Sequence, residues 1–217
     1  MDLAKKQKRV GIVLFDDVEV LDFCGPFEVF SAVRLTEANR RKESSPFELA
    51  LIAQQGQTIK TTGSMEVIPN YSFRDCPTLD ILLVPGGWGT RREIGNDGML
   101  DWIRTQAAQA ELVSSVCTGA LLLGCAGLLK GCRATTHWRS LEWMRTALPE
   151  VDVDDTKHFI QDGKVWTSAG ISAGIDMALR ITAHYFGEEI ARATARHMEY
   201  VYPDSDERKI DVRWDGQ

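Results

Sequence analysis

The chain has 217 residues, of which 44% are hydrophobic, and a formal net charge of −6. That length suits one domain with a real core, and the acidic balance argues against a non-specific nucleic-acid binder and against a polybasic membrane patch. No apolar stretch reaches the ~18 residues of a membrane-spanning helix, and no signal-peptide core follows the lysine-rich segment from Met1 to Arg9.

In chain order, Arg9 to Phe15 is a β-branched apolar run and reads as a buried strand. Leu21 to Leu35 reads as a helix with Pro26 in its first turn, where a missing N–H does no harm. Phe47 to Ala53 is a second strand. Lys60 to Phe73 alternates around Gly63 and Pro69 and suggests a short hairpin or excursion. Asp80 to Val84 is another buried strand, ending in Pro85-Gly86-Gly87. Asp97 to Ala110 reads as a helix and Leu112 to Val116 as a strand. At Cys117 that strand runs directly into a small-residue, leucine-rich helix.

Thr135 to Leu148 holds a short helix beginning near His137. Val151 to Val153, His158 to Gln161 and Lys164 to Ser168 follow as short strands, the last two joined at Asp162-Gly163, a hairpin signal. Ala169 to Phe186 and Glu188 to Tyr200 read as helices. The expectation is a single domain over 1–217, with its core at about 9–200 and a polar, peripheral tail at 203–217.

Short apolar strands alternating with helices define an α/β fold with a mostly parallel sheet covered on both faces. Ligands of such sheets bind beyond the carboxyl ends of the strands. Three loops lie at such ends: Phe15 to Asp22, Pro85 to Gly89, and the turn at Cys117. They are expected to converge on one crevice.

Five cysteines, Cys24, Cys76, Cys117, Cys125 and Cys132, form no C-x-x-C pair and read as free thiols. Cys117 stands apart because a sharp strand-to-helix turn is the geometry of a nucleophile elbow. Amides at the start of the following helix are expected to favour thiolate over thiol. Glu19 and Asp22, three residues apart, can share one helical face, and either could present a carboxyl group to the sulfur. Such a group has a raised pKa and can act as a general acid. Gly86 and Gly87 allow close backbone approach, with their N–H groups as half of an oxyanion hole and the Thr118 N–H as the other half.

No histidine adjoins Cys117. His137 could line the crevice, whereas His184 and His197 fit structural roles better. Trp88, Trp138 and Ile171 would shape the pocket, and Ser168 to Asp176 is a small-residue turn able to close over it. The Gly86-Gly87-x-Gly89 run lacks the spacing of a dinucleotide or phosphate loop. No metal and no organic cofactor is expected.

The segments Leu21-Asp22-Phe23-Cys24-Gly25-Pro26, Pro85-Gly86-Gly87, Ser115-Val116-Cys117-Thr118-Gly119, Ala134-Thr135-Thr136-His137-Trp138 and Ala173-Gly174-Ile175-Asp176 occur in this order. In this the chain resembles the ThiJ/PfpI superfamily, related to class I glutamine amidotransferases, and within it the isonitrile hydratases and the amidotransferase-like domain of some AraC-type regulators. The resemblance spans about residues 9 to 200. It implies a flavodoxin-like three-layer sandwich and a homodimer; the expected location, cytoplasmic, comes instead from the missing signal-peptide core and membrane span. It places the nucleophile at Cys117, the motif carboxylate at Asp22, with Glu19 competing for that role, and Thr118 where protease-like members carry histidine.

Peptidase activity is therefore not expected. The implied reaction is hydration of a small isonitrile to an N-substituted formamide. The alternatives are glyoxalase- or deglycase-like handling of α-oxoaldehydes, or a redox or small-ligand sensor using the same cysteine. Regulators of this group append a DNA-binding region that the chain is too short to hold, so a small molecule is the expected partner rather than nucleic acid.

Overall fold

A computed structural model describes residues 7–213. Strand β1 spans Lys8–Leu14 and is followed by helix α1, Val20–Ala32. Strand β2 is Phe47–Ala53, and three short strands follow: β3 Ile59–Lys60, β4 Glu66–Val67 and β5 Tyr71–Ser72. Then come β6 Ile81–Val84, α2 Thr90–Glu93, α3 Asp97–Gln109, β7 Leu112–Val116 and α4 Gly119–Cys125. Next are β8 Arg133–Ala134, a 3₁₀ turn Trp138–Ser140, α5 Leu141–Ala147 and β9 Asp152–Val153. The last elements are β10 Phe159–Asp162, β11 Val165–Ser168, α6 Ala173–Phe186 and α7 Glu188–His197.

Seven strands form one sheet in the order β10-β11-β7-β6-β1-β2-β5. Every pairing is parallel except β10 with β11. The central strands β6 and β7 are buried along their whole length, as a parallel sheet covered on both faces demands. Helices α1, α6 and α7 pack together against one face, and α3 and α4 against the other. This is the flavodoxin-like α/β sandwich. Asn96 caps α3 by accepting the Met99 N–H at 3.2 Å. No helix of the described residues is long and apolar enough to cross a membrane.

The chain moves from β1 outward to β2, then returns to β6 on the other side of β1. Beyond the carboxyl ends of β1 and β6 is therefore a topological switch point, where a crevice opens. The loops 15–19 and 85–89 flank it, and the end of β7 brings in Cys117.

Several boundaries differ from the sequence reading. Helix α1 begins at Val20, so Pro26 is interior rather than in the first turn. Its ring meets α6 instead: a Cβ on Gly174 would lie 3.3 Å from Pro26 Cγ. The excursion at 60–73 contains the β3–β4 hairpin and then β5, which adds to the sheet edge beside β2. The late hairpin pairs Asp162 with Val165, so its two loop residues are Gly163 and Lys164. Helix α6 starts at Ala173, because Ile171 takes a left-handed backbone with φ 53°.

The described part of the tail lies mostly on the surface and is tied down at Arg208 and Lys209. Arg208 donates to Asp155 O, Thr135 Oγ1 and Thr136 O, and Lys209 reaches the wholly buried Asp176. Asp176 also accepts from Tyr200 at 2.8 Å and lies 2.9 Å from His158 Nε2. Burial alone would raise the Asp176 carboxyl; the nearby His158 ring and the hydrogen bonds from Lys209 and Tyr200 outweigh it and leave the pKa below its ordinary value. A polar composition hid this strap, because the buried acid that holds it lies on α6. Residues 1–6 and 214–217, which include most of the lysine-rich start and the last tail residues, lie outside the described residues.

Candidate active site

The Cys117 backbone is left-handed, with φ 57°. Such a conformation costs a non-glycine residue roughly 1–2 kcal/mol, and fixed hydrogen bonds hold it. The Cys117 N–H donates to Ala169 O at 3.0 Å and Ser168 O at 3.2 Å, and Thr136 Oγ1 donates to Cys117 O at 2.8 Å. Strands β7 and β11 and the segment after β8 thus pin the turn from three sides. Gly119 is obligatory beneath it, since a Cβ there would sit 2.0 Å from Val84 O.

Asp22, on the first turn of α1, is wholly buried behind Cys117. Its Oδ2 accepts the Gly86 N–H at 2.9 Å, while Oδ1 makes no hydrogen bond of good geometry. Burial, opposed by the Gly86 N–H and reinforced by the Glu19 charge, raises the carboxyl from 3.8 to about 7. Glu19 precedes α1 and lines the cavity in front of the sulfur. The two acids that shared a face in the sequence reading are therefore separated: Asp22 meets the thiol from the core, and Glu19 stands in the cavity wall.

The thiol itself departs from expectation. Cys117 is only 6% exposed, and burial together with the Asp22 charge pushes it well above the ordinary thiol range. The Thr118 and Ile171 N–H groups and the Thr118 hydroxyl pull the other way without prevailing. At the start of α4 the Thr118 N–H reaches the sulfur, but it does not offset the lost hydration. Burial thus favours the thiol over the expected amide-held thiolate. When the pair ionises, the charge falls on the carboxyl side, because burial pushes the thiol far above Asp22.

The amides of the second loop also differ from expectation. The Gly86 N–H serves Asp22, and the Gly87 N–H donates to Thr118 Oγ1 at 3.0 Å. Neither is free as an oxyanion donor. Thr90 Oγ1 donates to Gly87 O at 2.8 Å, and the Thr118 hydroxyl reaches both that carbonyl, at 3.3 Å, and the Cys117 sulfur. Gly86 is required by space: a Cβ there would lie 2.5 Å from Thr118 N and Oγ1 and 2.9 Å from Asp22 Oδ2.

In front of Cys117 opens a cavity of about 350 Å³, lined by Glu19, Gly87, Trp88, Arg91, Cys117, Thr118, His137, Trp138, Arg139, Ser140 and Ile171. That volume suits a small organic molecule. His137 Nδ1 accepts the Arg139 N–H at 3.3 Å, so the neutral ring carries its proton on Nε2. Burial and then the charges of Arg139, Arg208 and Arg91 lower its pKa, which keeps it neutral. Gly170 makes room for the ring, since a Cβ there would lie 2.2 Å from His137 Cδ2.

Sequence reasoning missed Arg91, Arg139, Ser140, Thr90 and Thr136. Of these, Thr136 and Arg139 flank the His137-Trp138 pair that had been singled out, so proximity in sequence was the one available signal. A larger cavity of about 690 Å³ runs along β10 and α6. It holds no cysteine, and two of its cations are spent, Lys157 on Asp206 and Arg133 on Asp154. Among the described residues no group of three or more His, Cys, Asp or Glu could hold a metal ion.

Fold and site together define a flavodoxin-like α/β protein with a cysteine at its nucleophile elbow. A model of the DJ-1/PfpI family matches residues 8–184, and the chain belongs to that family. It is 36% identical over 192 residues to a protein named isonitrile hydratase from Pseudomonas putida, covering 88% of this chain and 78% of that one. The HTH-type transcriptional regulator GbdR from Pseudomonas aeruginosa is 24% identical over 96% of this chain, which spans 56% of the regulator. Among solved structures, a ThiJ/PfpI family protein from Pseudomonas syringae superposes with a TM-score of 0.79 at 26% identity, covering 92% of this chain and 77% of that chain.

Proposed function

We propose that the protein is a cofactor-independent lyase that hydrates a small isonitrile to an N-substituted formamide, with Cys117 as nucleophile and Asp22 as proton carrier. The observation that carries this reading is the buried Asp22 carboxyl behind a buried thiol, with Thr118 rather than histidine beside the cysteine. A base held near pH 7 can take the thiol proton and return it within one turnover. Likeness to the P. putida isonitrile hydratase supports the choice of substrate.

In the proposed reaction the sulfur bonds to the terminal isonitrile carbon. Asp22 takes the thiol proton and passes it to that same carbon, giving a thioimidate with one C=N bond. Water adds across this bond, its proton going to nitrogen and its hydroxyl to carbon. The carbon–sulfur bond then breaks, the hydroxyl proton returns to the sulfur, and the formamide leaves. One water is consumed, and the enzyme is unchanged. The Thr118 hydroxyl, within reach of the sulfur as well as of Gly87 O, turns its proton to the developing thiolate and steadies it.

The test is turnover of p-nitrophenyl isonitrile by the wild type and Cys117→Ala, followed by formamide appearance. The variant is expected to lose activity by at least roughly a thousandfold. Full activity in Cys117→Ala would overturn the reading. A second reading, a ligand-sensing domain, draws on the 24% identity to GbdR; it gains if no isonitrile or methylglyoxal is turned over while a metabolite copurifies. The same proposal takes the protein as a cytoplasmic homodimer, which sedimentation velocity and cell fractionation check.

A further inference from the structure

The cavity in front of Cys117 contains two arginines that the proposed reaction does not use. Arg91, on α2, lies over the Trp88 ring at 4.3 Å from its centroid. Arg139, in the 3₁₀ turn, lies over the Trp138 ring at 4.8 Å. Both line the cavity, together with both tryptophans. Neither guanidinium has a hydrogen bond or ion pair among the described residues.

The contrast with the neighbouring residue is informative. Arg92, next to Arg91, is fully engaged with Glu93, Asp17 and the Asp16 carbonyl. Acids are therefore within reach of this loop, yet Arg91 meets none. Glu19 lines the same cavity and pairs with neither arginine. A guanidinium stacked on an indole ring keeps its N–H edge free and fixed in direction. Both arginines are exposed at the cavity rim, where water serves their N–H groups, and a carboxylate can replace that water with matching geometry. The indole rings offer a flat apolar wall beside them.

We propose that Arg91 and Arg139 select a substrate that carries a carboxylate on an aromatic or cyclic apolar body. The carboxylate sits at the arginines, the ring lies against Trp88 and Trp138, and the reacting carbon reaches Cys117. The identity of the reacting carbon rests on the isonitrile reading; the anionic end does not.

The experiment measures kcat/KM for phenyl isocyanide and for 3- and 4-isocyanobenzoate with the wild type, Arg91→Gln, Arg139→Gln and the double variant. The wild type is expected to favour at least one isocyanobenzoate over phenyl isocyanide by roughly tenfold, mostly through KM. High salt and the double variant are both expected to erase that ratio. In parallel, tryptophan fluorescence reads binding of the unreactive 4-formamidobenzoate and of formanilide to the same proteins.

If phenyl isocyanide is hydrated but no carboxylate is favoured, the anion site is wrong and the reaction stands. If nothing is hydrated while 4-formamidobenzoate binds in an arginine- and salt-dependent way, the anion site stands and the isonitrile reading falls. An unchanged ratio in the double variant overturns the inference outright.

Discussion

Replacing Asp22 with asparagine tests the partnership between this carboxyl and the thiol. Asparagine keeps the shape and the acceptor for the Gly86 N–H, but it cannot ionise. In the native protein burial raises the Asp22 pKa to about 7, whereas an unfolded aspartate titrates near the ordinary value of 3.8. A native pKa above the unfolded one means that the folded state holds the proton longer. The associated stability is complete below about pH 4 and is lost as pH rises through about 7. Each pH unit is worth about 1.4 kcal/mol, so the whole loss is about 4 kcal/mol, of which about 3 kcal/mol falls between pH 5 and pH 8.

Denaturant unfolding of the wild type and Asp22→Asn at several pH values across that window gives the difference directly. Other titrating groups cancel between the two proteins, and staying at or below pH 8 keeps unfolded cysteines out of the comparison. The stability gap should widen by about 3 kcal/mol in favour of asparagine as pH rises. Parallel curves would show that Asp22 ionises like an exposed carboxylate, and the shared-proton account of the site would fail.

Three further outcomes follow from the same geometry. The kcat/KM for an isonitrile should rise with pH and level off above about 7, because the active pair carries one negative charge wherever its proton sits; a limb centred near 4 would contradict this. Thr118→Val strips the acceptor from the Gly87 N–H and should cost about 1–3 kcal/mol in denaturant unfolding, with a lower kcat; an equally stable variant would show that the bond is not made. Gly86→Ala forces a methyl group against the Thr118 backbone and Asp22 and should cost at least about 2 kcal/mol, again by denaturation, and a stable, active variant would refute the close approach.

The sheet was legible because its central strands must be apolar on both faces. Val10 to Leu14, Ile81 to Val84 and Leu112 to Val116 are unbroken buried runs, and burial matches them residue for residue. The elbow was legible for a related reason, since the buried run of β7 is separated from α4 by Cys117 and Thr118 alone, too few residues for a loop. Helix phase was not legible. Spacing places Glu19 and Asp22 on one face, and the start of α1 at Val20, with the Glu19 N–H bound to Gly86 O, decides which enters the core. The tail strap was hidden for the opposite reason: exposed-looking Arg208 and Lys209 are defined by partners far earlier in the chain.

The least legible property is the proton on the sulfur, because sequence shows the helix that follows Cys117 but not the burial around it. That burial has a chemical consequence for the proposed reaction. A thiolate formed here by passing its proton to Asp22 loses hydration, so it is costly at rest and strongly reactive once formed. An isonitrile brings no charge to the reacting end and leaves the pair at one negative charge throughout. A carboxylate at the far end of that molecule adds a second negative charge to the cavity. Arg91 and Arg139, held on their tryptophans with no acid of their own, are placed to offset it. The two inferences therefore constrain each other: if the anion binds, the pH limb in kcat, which reports the loaded enzyme, must lie no lower than the limb near 7 in kcat/KM, since a nearby carboxylate raises the pKa of the pair.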